Sequence, residues 1–273
     1  METIRKPAVA GMFYPASQKV LSSTIDELLN NNFADNKFTN ITGIVAPHAG
    51  YVYSGGTAAY AYNAVKDKNI NTIIILSPSH REYFNGISIY SGTAYSTPLG
   101  TVNVNKELRE TLTQKSKIIH SAVEGHRNEH AIEVQIPFLQ AIYKDFTILP
   151  VILGDQRRNY MIELAERLAE VVDNNTLVVA SSDLSHFYNK DKAEQLDKIV
   201  ENKINKFDYD GLQNDLDHGF CEACGGGAIV TLLKLSEIIN RKKSKVLART
   251  TSGNITGDYS EVVGYLSAVV YEN

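Results

Sequence analysis

Five short apolar runs constrain this chain more than anything else in it: residues 41–46, 72–76, 146–153, 176–180 and the longer 262–271. None alternates with polar residues, as a half-buried strand would. Such runs suit strands covered on both faces. Helical patterns lie between them, at residues 17–32 with a cap at or near Ser17, at the Ala-rich stretch 56–65, and at 132–143, 159–172, 190–203 and 228–239. A shorter extra strand is expected over 87–94, in a hairpin. Strands alternating with helices predict an α/β sheet with helices on both faces. No linker is rich in Pro, Gly or Ser, the polar stretch 30–40 is short, and no repeat is visible. One domain over residues 1–273 is therefore expected.

Composition narrows the function classes. At 43% hydrophobic and 21% charged, the chain is too apolar for disorder. No run approaches about 18 apolar residues, so no membrane span is expected. A net charge of -4 with scattered Lys gives no footprint for nucleic acid. The first residues lead into no apolar signal segment, and there is no lipidation motif. A reduced, cytoplasmic protein with free thiols is the expectation.

The chemistry gathers beyond strand ends, where ligands of open α/β sheets bind. His48 follows Ile44-Val45-Ala46-Pro47. His80 follows Leu76-Ser77-Pro78-Ser79. Asp183 and His186 follow Val179-Ala180-Ser181-Ser182. A parallel sheet would bring all three loops to one edge. One such His more often caps a loop or satisfies a carbonyl; three at matching positions point to a shared site.

His130 and Glu133 are three apart, so one helical face can present both, with Glu129 on another face and His126 nearby. They could shuttle protons or orient a ligand imidazole, or form only a cap and salt bridge. The two cysteines, Cys221 and Cys224, form a CxxC ahead of a glycine run and an apolar helix. This could be a redox pair, half a zinc site, or one ligand and a bystander; a four-cysteine zinc site cannot be built. Tyr51 and Tyr53 could line a pocket, and residues 95–100 read as a rim loop. His120 and His218 read as surface or cap residues. There is no HExxH, GxSxG or GxGxxG.

With these residues assembled, the chain resembles the Memo-like proteins, whose microbial members are often called system protein B of a radical-SAM-associated set. The matching stretches are Ala46-Pro47-His48-Ala49-Gly50-Tyr51, Ser77-Pro78-Ser79-His80, Glu129-His130-Ala131-Ile132-Glu133, Ser181-Ser182-Asp183-Leu184-Ser185-His186 and Cys221, with the opening residues 5–15. The resemblance implies a single three-layer α/β/α domain with a mostly parallel sheet, similar to class III extradiol ring-cleaving dioxygenases. It implies a metal site at His48, His80, Cys221, His186 and Asp183, and leaves Cys224 without a ligand role. His130, His186 and Asp183 are the catalytic candidates it suggests. A thiol then stands where the ring-cleaving enzymes carry a carboxylate. This donor set suits Fe(II) first, with Cu or Zn as alternatives.

The function so implied is a non-haem-iron, dioxygenase-like or other redox enzyme acting on an unknown small molecule. The alternatives are a metal- or peptide-binding protein working with a radical-SAM partner, and a zinc-dependent hydrolase.

Overall fold

The computed structural model of the protein describes residues 3–33 and 38–272. Within the polar stretch 30–40, residues 34–37 lie outside the described residues, as do 1–2 and 273. In chain order the elements are β1 (Ile4–Arg5), α1 (Gln18–Asn31), β2 (Gly43–Ala46), a π-helical turn (Tyr51–Gly55) running into α2 (Gly56–Val65), β3 (Thr72–Pro78), β4 (Ile87–Tyr90), β5 (Ala94–Thr97), β6 (Gly100–Asn103), α3 (Lys106–Thr113) and β7 (Ile119–Ala122). There follow a 3-10 turn (Glu133–Gln135) leading into α4 (Ile136–Ile142), then β8 (Thr147–Leu153), α5 (Arg158–Ala169), β9 (Thr176–Ser181), β10 (His186–Tyr188) and α6 (Lys190–Asn205). The chain ends with α7 (Tyr209–Asp217), α8 (Gly226–Ile238), β11 (Lys243–Thr251), α9 (Gly253–Thr256) and β12 (Val262–Tyr271).

The main sheet runs β10-β12-β2-β9-β3-β8-β4-β7, with β11 also paired to β12. Its centre, β2-β9-β3-β8, is parallel. Both flanks turn antiparallel, at β12 against β2 and at β4 against β8. The parallel part thus consists of the four short runs without alternation. Successive side chains in these strands face opposite cores. Ile73, Ile75, Leu177 and Val179 join the cluster under α1, α2 and α4. Ile74, Leu76, Val178 and Ala180 join the one under α5, α6 and α8. Each such Ile, Leu or Val side chain, fully withdrawn from water, contributes about 1.5–3 kcal/mol before chain entropy is set against it. The result is one α/β domain with a large central sheet between helical layers.

The sequence reading needs correction at the edges. Residues 87–94 are not one strand in a hairpin. β4 joins the main sheet, whereas β5 hairpins with β6 in a small separate sheet with β1. α3 and β11 gave no apolar signal, because α3 buries only Leu112 and β11 is half-exposed along its length. No helix among the described residues is long and apolar enough to cross a membrane.

Candidate metal centre

Because β2, β3 and β9 are parallel, their carboxyl ends share one edge of the sheet, and His48, His80 and Asp183 leave that edge together. Cys224 arrives from the other direction, at the start of α8. Gly225 makes that approach feasible: a Cβ there would lie 2.1 Å from the Ser181 carbonyl oxygen. Two groups of three candidate ligands, with donor atoms within 4.8 Å of one another, occur among the described residues: His48, His80 and Cys224, and His80, Glu129 and His130.

The His48 ring has only one tautomer open to it, and the reason runs through three side chains. Gln135 Nε2 donates to the Pro47 carbonyl at 3.1 Å, which fixes its amide orientation. The same nitrogen donates to Ser181 Oγ at 2.8 Å. Ser181 must spend its own proton on the Ala131 carbonyl, 2.7 Å away. Its remaining lone pair faces His48 Nδ1 at 2.9 Å, so Nδ1 carries the hydrogen. The lone pair of His48 therefore sits on Nε2, 3.1 Å from the Cys224 sulfur.

His80 is fixed in the same sense by a carboxylate. Glu129 accepts from the His80 amide at 2.6 Å and from His80 Nδ1 at 2.9 Å. It also accepts from the amides of His130 and Ala131, both at 2.9 Å. Burial opposes its charge, but these donors prevail and hold its pKa at about 2. His80 Nε2 is left to bind a ligand. Supporting hydrogen bonds of this kind accompany most metal-bound imidazoles.

The thiol that reaches this cluster is Cys224, whereas Cys221, the sulfur ligand expected from the resemblance, lies outside both groups of candidate ligands. The Asp183 amide donates to the Cys224 sulfur at 3.2 Å, and the Cys224 amide returns a bond to the Asp183 carbonyl at 3.2 Å. This reciprocal pairing aims the side chain at His48. Burial drives the Cys224 thiol far above its ordinary pKa. Cys221, three residues earlier, packs into the apolar core beneath the helices, and burial pushes it up to about 12. Both thiols are free, as expected.

Asp183 and His186 belong to neither group of candidate ligands. Asp183 Oδ1 accepts from the His48 amide at 2.7 Å. Burial raises this carboxyl to about 6 against the pull of that bond and the surrounding imidazoles. His186 starts β10 and acts electrostatically on both His48 and Asp183. His130 lies between the other rings, 4.7 Å from His80 and 5.4 Å from His48 by centroid, with Phe13 on its other side at 4.8 Å. Its buried Nδ1 lies 3.3 Å from Glu129 Oε1, without the geometry of a hydrogen bond. Burial, then the neighbouring His48, lowers His130 to about 4; burial, then His80, lowers His48 to about 3. All these shifts keep imidazoles neutral, the state in which they bind metals.

Glu133 does not share a face with His130. It turns to the N-terminal segment, where it pairs with Arg5 and accepts from the amides of Ala8 and Val9 and from the Tyr14 hydroxyl. The partner of His130 and His80 is Glu129, because residues 129–132 precede the helix rather than forming its first turn. Tyr51 is core, its hydroxyl donating to the Val134 carbonyl, and Tyr53 is exposed. Residues 95–100 belong to the β5–β6 hairpin, with Tyr95 buried against Arg5. His126 accepts from the Tyr95 hydroxyl and donates to the Ser88 carbonyl, a satisfied core residue. His218 caps α7, and His120 sits half-exposed near Glu124. Ser181 and Gln135 had no sequence signal of their own; their neighbours in space, not in sequence, give them their part.

With this geometry in place, comparison with known proteins decides the family. The profile of the Memo-like proteins matches residues 5–269. The chain belongs to the Memo-like family. A MEMO1 family protein of Thermoplasma volcanium is 40% identical, over 97% of this chain and 98% of that one. One from Nitrosopumilus maritimus is 37% identical, over 96% and 98%. This Memo-like chain also shares its fold with an uncharacterized protein of Escherichia coli K12, with a TM-score of 0.53 at 14% identity over 84% of this chain and 99% of that one.

Proposed function

We propose that this Memo-like protein is a mononuclear metalloenzyme of the oxidoreductase class, with His48, His80 and Cys224 as its protein ligands. The observation that carries the reading is the pair of fixed tautomers: both rings have Nδ1 tied back, and His48 turns its free nitrogen to a thiol 3.1 Å away. The donor chemistry fits a divalent ion. Burial opposes ionisation of the Cys224 thiol unless a cation stands opposite it. Two nitrogens and one sulfur form a borderline-soft set, suited to Fe(II), with copper and zinc as competitors. A bound redox metal would supply electron transfer and Lewis acidity.

The chain's own groups supply the rest. Asp183 and His130 are buried, shifted from their ordinary pKa values, and within reach of the ligand imidazoles. Perturbed groups of this kind concentrate at catalytic sites. They and His186 would hold or move protons for the substrate.

Metal analysis of protein purified without oxygen tests the site. The wild type and Cys221→Ala should each hold about one equivalent of metal, and Cys224→Ala little, with all three melting cooperatively. Full occupancy in Cys224→Ala sinks the ligand assignment. Iron-loaded protein should consume oxygen with a small-molecule reductant or substrate panel, and zinc-loaded protein should not. Equal zinc-dependent hydrolysis would replace the redox reading with the hydrolase one.

A further inference from the structure

The sheet edge that carries His48, His80 and Asp183 has a fourth strand ending on it. β8 runs parallel to β3 and stops at Leu153, and Gln156 follows three residues later. Its loop is pinned on both sides. The Gly154 amide donates to the Gly86 carbonyl at 3.1 Å, and the Arg157 amide to Asp155 Oδ1 at 2.9 Å. From this base Gln156 reaches across to the start of α8.

There its side-chain amide makes two bonds of opposite sense. Nε2 donates to the Cys224 carbonyl at 2.8 Å, and Oε1 accepts from the Gly227 amide at 2.8 Å. Reversing the amide would set oxygen against oxygen and N–H against N–H, so both partners fix its orientation. The Gly227 amide lies in the first turn of α8, where N–H groups have no intrahelical acceptor. The Cys224 carbonyl is passed over by the backbone bonds around it: Gly226 donates to Ala223, and Ala228 and Ile229 donate to Gly225. Glycine at 227 admits the amide, since a Cβ there would lie 2.8 Å from Gln156 Oε1. Every polar atom of Cys224 is thereby held. Asp183 engages its amide and its sulfur, and Gln156 engages its carbonyl. The first pairing fixes the peptide before the thiol, and the second fixes the peptide after it.

We propose that Gln156 is a positioning residue for the Cys224 thiol, setting through the Cys224 carbonyl the direction from which the sulfur meets His48. The proposal rests on the reading of the metal centre for its purpose. Capping of α8 alone would need only Oε1. Glutamate at this position separates the two roles. Its carboxylate still accepts from the Gly227 amide and suits a helix N-terminus, but its second oxygen, with no hydrogen to donate, opposes the Cys224 carbonyl.

The test uses the full chain carrying Cys221→Ala, in which Cys224 is the one remaining thiol. Two readouts are taken: Co(II) titration followed by the thiolate-to-cobalt charge-transfer band, and the rate at which iodoacetamide alkylates the metal-free protein. Gln156→Ala and Gln156→Glu should each weaken Co(II) binding and its thiolate band about 10–100-fold in affinity, as loss of a supporting bond does. Each should speed alkylation about tenfold, the factor for one hydrogen bond. Effects confined to Gln156→Ala would identify a helix cap and overturn the proposal, as would unchanged alkylation in both variants. Urea unfolding reports each fold, and if Gln156→Ala does not fold, Gln156→Glu decides by itself. The parent protein keeps the two readings apart. No thiolate band in the parent, with faster alkylation in both variants, removes the metal centre and leaves the hold on the thiol. A parent band with both variants unchanged in affinity and alkylation leaves the centre and removes this proposal.

Discussion

Replacing Ser181 by Ala removes one oxygen and should cost metal affinity out of proportion to its size. The hydroxyl is fully buried and makes three hydrogen bonds, to the Ala131 carbonyl, Gln135 Nε2 and His48 Nδ1. Gln135 keeps its bond to Pro47, so the main orphan is the Nδ1–H of His48. That ring is then free to carry its hydrogen on Nε2, where a ligand lone pair is needed. Loss of a supporting bond of this type lowers metal affinity by about 10–100-fold, or about 1.4–2.7 kcal/mol. The metal-free fold should lose about 1–3 kcal/mol for the unsatisfied groups. Competition for Zn(II) or Co(II) against a chromophoric chelator at pH 7 measures the first, and urea unfolding of the metal-free protein the second. Affinity within twofold of wild type, together with the expected loss of stability, would refute the argument. Ser181 would then support the fold without setting the tautomer.

Arg5→Met should destabilise the chain by about 3–5 kcal/mol in urea, since it leaves Glu133 charged and fully buried without its cation; a loss under about 1 kcal/mol would mean that the Ala8 and Val9 amides and Tyr14 suffice. His126 offers a pH test, because burial lowers its pKa from 6.5 to about 3. The unfolded chain protonates this ring below about 6.5 while the folded chain does not, so its contribution is intact above 6.5 and is lost as pH falls toward 3. His126→Gln, whose amide can serve Tyr95 and Ser88, should flatten that acid limb in urea midpoints taken between pH 4 and 7, and an unchanged slope would show that other groups set it.

The strands and the edge they share were legible because fully buried parallel strands leave runs of apolar residues, and such strands end on one side. His48 and His80 could be read from that rule alone. Cys224 could not. Which of two thiols three residues apart enters the site depends on its backbone pairing with Asp183, 41 residues away in the chain. Glu133 and Glu129 exchanged places for a related reason. Spacing of three assumes a helix, and the chain reaches helical conformation only after His130 has been placed. The support given by Ser181 and Gln135 was illegible in principle, since a serine and a glutamine acquire direction only from the groups opposite them.

The wide spacing of the centre along the chain bears on when it can be made. His48 comes from the first fifth of the sequence and Cys224 from the last, and the Arg5–Glu133 pair docks the start of the chain beside Glu129 only after residue 133 exists. No local peptide holds two of the three proposed donors. The three proposed donors therefore meet only when distant segments of the chain have folded together. Such long-range closure is slow to form. At the proposed centre, loading would then await a finished fold.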